Sequence, residues 1–322
     1  MNNSQDPKFS KFSYVNKDFA SIYPELLDLA SQLTDKWHPA NSNESDPGVV
    51  LLKEGAFMAD HINYNTDKNI LEAFLPTATQ ESSVRDIVQR GGYLPNYYIS
   101  GKGKVSFKYN FDAEDNEIKN IFTIPTFTLN ISNKEGTTWY VQADQLSLDE
   151  NGYGECNFIQ GYVEDLEING TTNITLENID DDLRLYLPVD NVAQNGIYIR
   201  NANSTNLDWS ADLWQRETFL NVLPQYTKAY RVENDSEKDK VYIEFPSDLS
   251  AIIGSGLNIK YIVSEGLRGN VPANHLTVIQ SPTEVKIQDK SVKMSNFTLY
   301  NPGSILNGRD PETISEMYHN FS

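Results

Sequence analysis

The spacing of apolar residues changes period along this chain, and that change constrains the fold more than any other feature. Up to about Tyr98 the apolar positions recur every three or four residues, the signature of helices. Behind Asn16-Lys17-Asp18, the residues Phe19, Ile22, Tyr23, Leu26, Leu27, Ala30 and Leu33 fall on one face. Pro39 and the polar run Asn41-Ser42-Asn43-Glu44-Ser45 interrupt the pattern. Asp46-Pro47 then predicts an N-cap with proline at the first helical position. From there Leu51, Leu52, Gly55, Ala56, Ala59, Ile62 and Asn63 keep the helical period until Pro76. That stripe reads equally as a core face and as the face of a bundle shared with a partner. A third helix is predicted after Thr79, carrying Val84, Ile87 and Val88 and stopping at Gly91-Gly92.

From about Lys102 to Lys293 the period drops to two. Val105, Phe107 and Tyr109 alternate with Ser106 and Lys108; Phe127, Leu129 and Ile131, then Val241, Ile243 and Phe245, then Leu257, Ile259 and Tyr261 do the same. Asn151-Gly152, Asn169-Gly170 and Asn195-Gly196 read as turns between strands. Strands with one buried face imply largely antiparallel sheets. Asn201 to Val222, with Trp209, Trp214, Phe219 and Leu220, is expected to form a short helix or an ordered loop.

A helical pattern returns near Gly303. Asn307-Gly308 is expected to turn, and Asp310-Pro311-Glu312 to cap a helix carrying Ile314, Met317 and Tyr318. This is either a short terminal helix or the start of one that continues past Ser322. The expected architecture is therefore α+β: a helical docking module over 1–100, a mainly antiparallel β-rich region of one or more domains over 101–302, and a C-terminal helical segment over 303–322. Gly48, Gly92, Gly266 and Gly269 are assigned to turns, the last three with positive φ.

Charge and chemistry narrow the function. The net charge of −19, from 26 basic and 45 acidic residues, repels nucleic acid and anionic lipid, so neither is an expected partner. No apolar run approaches the roughly 18 residues of a membrane span. The start, Met1-Asn2-Asn3-Ser4-Gln5-Asp6, lacks the basic and apolar stretches of a signal peptide, which predicts a product that stays in the cytoplasm unless an assembly made there carries it out. Cys156 is the only cysteine, which excludes an intramolecular disulfide and a cysteine-rich zinc site. His38, His61, His275 and His319 are scattered, and Glu54…Asp60-His61 lacks the second histidine a helical metal motif needs. Asp180-Asp181-Asp182 with Asp190 lacks the EF-hand pattern and reads as a solvated loop. Gly101-Lys102-Gly103-Lys104 lacks the spacing of a phosphate loop, and no Gly-x-Ser-x-Gly element is present. Cys156 sits in a strand-like run whose acidic neighbour Glu155 would raise its thiol pKa. No metal, no cofactor and no catalysis are expected.

Four elements in order carry a resemblance. They are Asp18-Phe19-Ala20-Ser21-Ile22; then Asp46, Gly48, Leu51, Leu52, Ala59, Asp60 and Tyr64; then Glu72-Ala73-Phe74-Leu75-Pro76-Thr77-Ala78; then Gly92-Tyr93-Leu94-Pro95. Together they resemble the baseplate J-like family, the wedge proteins of contractile-tailed bacteriophages. The likeness resumes at Trp214, at Ala229-Tyr230-Arg231-Val232, at Gly256-Leu257-Asn258-Ile259-Lys260-Tyr261 leading to Gly266-Leu267-Arg268-Gly269-Asn270, and at Gly308-Arg309-Asp310-Pro311-Glu312-Thr313. One departure is clear: the family often has Phe-Gly-Asp-Gly where this chain reads Phe245-Pro246-Ser247-Asp248.

The resemblance implies a structural protein of the virion's tail baseplate, assembled in the host cytoplasm, that forms wedges around the central hub beneath the sheath. It implies as partners other baseplate wedge proteins, a second copy of the chain, and hub or sheath-initiating proteins. It also implies contacts whose rearrangement transmits the contraction trigger. Phe19, Ile22, Leu26, Leu51, Leu52, Ile62, Phe74 and Leu75 are the candidates for the partner interface, being more apolar surface than three short helices can hide alone. The rival reading is a receptor- or glycan-binding tail protein, suggested by the β-rich middle with its 18 tyrosines and 4 tryptophans. The helical first zone argues against it.

Overall fold

The computed structural model describes residues 17–33, 45–111, 122–206, 208–209, 212–235, 238, 240–280, 284–287 and 290–321. The break expected at Pro39 and Asn41 to Glu44 lies outside them. The chain is α+β and divides into two compact units, one of residues 1–94 with 313–322 and one of residues 95–312.

The first unit is helical: α1 (Phe19–Leu33), α2 (Pro47–Glu72), α3 (Glu81–Arg90) and, from the far end of the chain, a last helix over Ile314–Phe321. Local chemistry sets each start. Asp18 Oδ1 accepts the Ser21 N–H at 2.9 Å while Ser21 Oγ accepts the Asp18 N–H at 2.9 Å, a reciprocal cap at the head of α1. Asp46 caps α2 through the Gly48 N–H at 2.8 Å, with Pro47 at the first helical position. Gly48 therefore sits inside the first turn of a helix, which corrects the expectation of a separate turn there. The Glu72 carboxylate ends α2 by accepting from Thr79 Oγ1 at 2.6 Å and from the Thr79 and Gln80 N–H groups. Burial alone would raise its pKa, but these bonds outweigh burial and hold it below the ordinary value.

The last helix corrects a second expectation. It begins at Ile314, and its cap is Thr313, whose N–H and Oγ1 both meet Glu316 Oε2 at 2.8 Å. Asp310 is not the cap; its Oδ1 accepts the Leu267 N–H at 3.0 Å inside the β-rich unit. Met317, wholly buried, packs with Ala78, Val84 and Val88. Tyr318 donates to the Leu75 and Ala78 carbonyls, the second at 2.9 Å.

The second unit runs β1 (Lys102–Tyr109), β2 (Phe122–Ile124), β3 (Asn130–Asn133), β4 (Trp139–Gln142), β5 (Leu146–Leu148), β6 (Tyr153–Gln160) and β7 (Tyr162–Asp165). Then follow β8 (Arg184–Tyr186), β9 (Val192–Asn201), β10 (Gln215–Arg216), β11 (Ala229–Asp235), β12 (Lys240–Glu244), the short helix α4 (Leu249–Ile252) and β13 (Leu257–Val263). It closes with β14 (Leu276–Ile279), β15 (Glu284–Ile287), β16 (Lys290–Lys293) and β17 (Phe297–Tyr300), before the final helix, α5. A six-stranded antiparallel sheet has the order β14-β3-β4-β6-β1-β17. A four-stranded sheet, β10-β11-β12-β8, is antiparallel except at β10–β11, and a three-stranded antiparallel sheet has the order β7-β13-β9.

Alternation places the cores. Val105, Phe107 and Tyr109 of β1 join Ile131, Tyr140, Phe158, Phe297 and Leu299 under the large sheet. Leu257, Ile259 and Tyr261 of β13 join Ile199, Trp214, Tyr230, Val241 and Ile243 under the two smaller ones. Gly161, with φ of 112°, carries the chain from β6 into β7 and so from one sheet to the next; an added Cβ would lie 2.1 Å from the Val263 carbonyl oxygen.

Asparagines stand in for backbone at several places where strands run out of partners. In β9 the Asn195 side chain both accepts from and donates to the Ser100 backbone at 2.9 Å. Asn307 does the same for Lys102, and Asn270 for Gly308. The expected turns at Asn195-Gly196 and Asn307-Gly308 are thus absent. Gly196 lies within β9 against Ile262, where a Cβ would come within 2.7 Å, and a Cβ on Gly308 would lie 2.7 Å from the Gly266 carbonyl oxygen. Of the three glycines expected to need positive φ, Gly92 (88°) and Gly266 (55°) have it, whereas Gly269 does not. The Gln160 side chain fills the space a Cβ on Gly269 would need, 2.2 Å away. The segment from Asn201 to Val222 forms no α-helix among its described residues; it passes through β10 and a single 3₁₀ turn at Leu220–Val222.

Candidate interaction surface

The longest helix carries the largest apolar surface. At 100° per residue, α2 divides into two faces. Val49 and Ala56 are buried and Leu52, Lys53, Ala59, Asp60, Asn63, Asp67, Ile70 and Leu71 are half-buried, all on one side. The other side is also apolar. Leu51, Gly55, Met58 and Ile62 follow one another at spacings of four, three and four, the rhythm of a coiled-coil seam. Val50, Phe57 and Tyr64 form a second exposed apolar line, about a third of a turn around the helix from the seam. Leu51, Phe57, Met58, Ile62 and Tyr64 are each between 60% and 66% exposed.

Together these side chains present several hundred Å² of apolar area, divided between the two lines, where the largest patch on a typical monomer is about 300–600 Å². Among the described residues of the helical unit, none covers them. α1 contributes no fully buried residue, and α2 spends its buried side on α1. The two helices run antiparallel, with Asn63 Nδ2 donating to the Lys17 carbonyl at 2.8 Å and Lys53 over the Tyr23 ring.

The sequence-derived interface residues separate on this geometry. Leu51 and Ile62 lie on the exposed seam, and Phe74, 55% exposed, lies beyond the end of α2. Leu52 is half-buried about a quarter-turn around the helix, on the side that meets α1. Phe19, Ile22 and Leu26 are half-buried on α1, with Phe19 stacked on Tyr23 at 5.6 Å. Leu75 packs into the Met317 cluster. Met58, Phe57, Val50 and Tyr64 were missed. A helix apolar on two sides gives overlapping stripes, and the single stripe read from the sequence merged Leu51 and Ile62 with Leu52 and Ala56.

Chemistry elsewhere is sparse. Among the described residues no three His, Cys, Asp or Glu side chains are grouped to hold a metal ion. Cys156 is buried in β6, and its thiol is pushed up to about 12, first by burial and second by the Asp144 carboxylate. Glu155, its sequence neighbour, instead accepts from Ser106 Oγ at 2.9 Å. Among the described residues no helix is long and apolar enough to cross a membrane.

Comparison with known proteins matches one segment to a family model. Residues 18–90, the segment that contains α1, α2 and α3, match the model described as "Bacteriophage baseplate protein, N-terminal domain". A search of curated proteins finds no match. Among solved structures, one chain of the cryo-EM structure of the anti-feeding prophage baseplate is similar at 12% identity with a TM-score of 0.27, covering 94% of this chain and 50% of that one. A TM-score of that size is not a shared overall fold. The chain spans about half the length of the structure it matches.

Proposed function

We propose that this chain, whose residues 18–90 match a bacteriophage baseplate N-terminal domain, is a structural protein of a phage tail baseplate, a wedge subunit docking through the exposed seam of α2. The observation that carries this reading is the apolar line Leu51, Gly55, Met58 and Ile62 on the solvent side of a 26-residue helix within the matched segment. Apolar area is worth roughly 25 cal/mol per Å² on burial, so a seam left in water favours association. The spacing suits a helix laid alongside, in a bundle shared with neighbouring wedge proteins or a second copy of this chain.

In this reading the protein works by packing. The helical unit joins its neighbours into the ring around the hub and sheath-initiating proteins, and rearranged packing transmits the contraction trigger. No step of bond chemistry is assigned to it.

The experiment is a pair of substitutions, Leu51→Glu with Ile62→Glu. Both residues are exposed, so the melting temperature should stay close to that of the parent, as surface changes are usually within about 0.5 kcal/mol. Burying either carboxylate in a bundle costs several kcal/mol, so co-assembly with other baseplate proteins should be lost. Normal assembly of the doubly substituted chain would contradict the proposal.

A further inference from the structure

The β-rich unit contains a pocket of about 610 Å³ that the wedge reading does not use. Its wall is built by Tyr98, Thr137 and Thr138 from the β3–β4 turn, Asn191 before β9, and Ser264, Glu265, Arg268 and Asp310. We propose that this pocket binds a neutral sugar unit, a pyranose carried on a larger glycan.

Rigid backing is the first argument. Ser264 is 1% exposed, and its hydroxyl donates to Gln160 Oε1 at 3.0 Å while accepting the Gly266 N–H at 3.0 Å. Gln160, fully buried behind that wall, also accepts the Glu265 N–H at 3.3 Å, and its Nε2 has no hydrogen-bond partner. Asn191 Nδ2 donates to the Ser264 carbonyl at 3.1 Å, and Asp310 Oδ1 holds the Leu267 N–H. The loop that bears Glu265 and Arg268 is therefore fixed from both sides before any ligand arrives.

The free groups make the second argument. Arg268 and Glu265 are exposed and, among the described residues, form no ion pair, although they stand three residues apart. Among the described residues the Asn191 side-chain carbonyl and the Tyr98 hydroxyl also have no hydrogen-bond partner. The pocket thus presents a forked donor, a carboxylate, an amide acceptor, threonine hydroxyls and one aromatic ring. Vicinal hydroxyls satisfy that mixture, each donating to a carboxylate or amide and accepting from the guanidinium. The apolar face of the sugar ring suits Tyr98. A protein partner is disfavoured because anchoring residues of protein interfaces fill apolar pockets, and no aliphatic side chain lines this one. Two carboxylates to one guanidinium disfavour an acidic sugar.

Saturation-transfer difference NMR on the whole chain tests this, with glucose, galactose, mannose, N-acetylglucosamine and rhamnose as probes. Transfer to the ring protons of at least one sugar is expected, with affinity reduced about tenfold in Arg268→Ala and in Glu265→Gln. Both side chains are exposed, so an unchanged melting temperature should accompany the loss. Absence of transfer from every sugar overturns the proposal, as does transfer undiminished in both variants. Loss of a baseplate protein's binding in the same variants, without sugar binding in the parent, also overturns it and assigns the pocket to a protein contact.

Discussion

Replacing Asn301 by leucine is expected to lower the unfolding midpoint of the β-rich unit by on the order of 10 °C. Asn301 is wholly buried just after β17, and it makes four hydrogen bonds to backbone. Its Oδ1 accepts the His275 and Leu276 N–H groups at 2.8 and 2.9 Å, and its Nδ2 donates to the Pro272 and Gly303 carbonyls at 2.7 and 2.9 Å. Those bonds tie β17 to the start of β14, the two edges of the six-stranded sheet, which pack against each other. Leucine fills a similar volume and leaves all four groups unsatisfied. At about 1–3 kcal/mol each, several of them together exceed the cost of an ordinary substitution. Asn301→Asp keeps the acceptor but turns an unpaired buried carboxylate toward two carbonyl oxygens, so its midpoint should also fall well below that of the parent. Thermal denaturation followed by circular dichroism reads both; a leucine variant that melts with the parent shows that the sheet edges are held by other contacts.

Met317→Ala should be the most damaging single truncation in the helical unit. The cluster around Met317 is small: among the described residues Ala78, Val84 and Val88 are its other buried members. Truncating a buried methionine costs about 2–5 kcal/mol, and here there is little other core to absorb the loss. Amide hydrogen exchange should show α3 and α5 losing protection together, while amides of β1 and β6 keep theirs. Protection retained in α3 would mean that α5 is not what holds it. The backbone bonds that Tyr318 makes to Leu75 and Ala78 would be lost with α5, which makes Tyr318→Phe a milder companion.

How much of this was legible in the sequence depends on whether the signal was local. The starts of α1 and α2 were, because Asp18 and Asp46-Pro47 act on N–H groups two or three residues away. The strands at Val105–Tyr109 and Leu257–Tyr261 were, because alternation reports the face that each residue takes. The asparagines misled. Asn-Gly pairs at 195–196 and 307–308 carry the composition of a turn, yet their amides serve backbone at Ser100 and Lys102, 95 and 205 residues away in sequence. Asp310 misled in the same way, since its N–H partner at Leu267 belongs to a distant loop. In these cases a polar side chain meets a buried backbone need created by tertiary structure, and no nearby residue announces it. The seam on α2 was half legible. Leu51 and Ile62 were singled out, but the separation of their face from that of Leu52 depends on which side α1 covers.

The central claim, that the outer face of α2 is covered in the assembled baseplate, can be tested with a single thiol. Cys156 is buried and its thiol pKa is raised, so it should react little with maleimide in the folded chain. Met58→Cys places a second thiol at a position 65% exposed in the free chain. The measurement is the rate of maleimide labelling of that residue in the purified chain and in tails that have incorporated it. The account predicts rapid labelling of the free chain and strong protection in assembled tails. Equal rates in the two states would show that α2 faces solvent in the baseplate, and would contradict the claim.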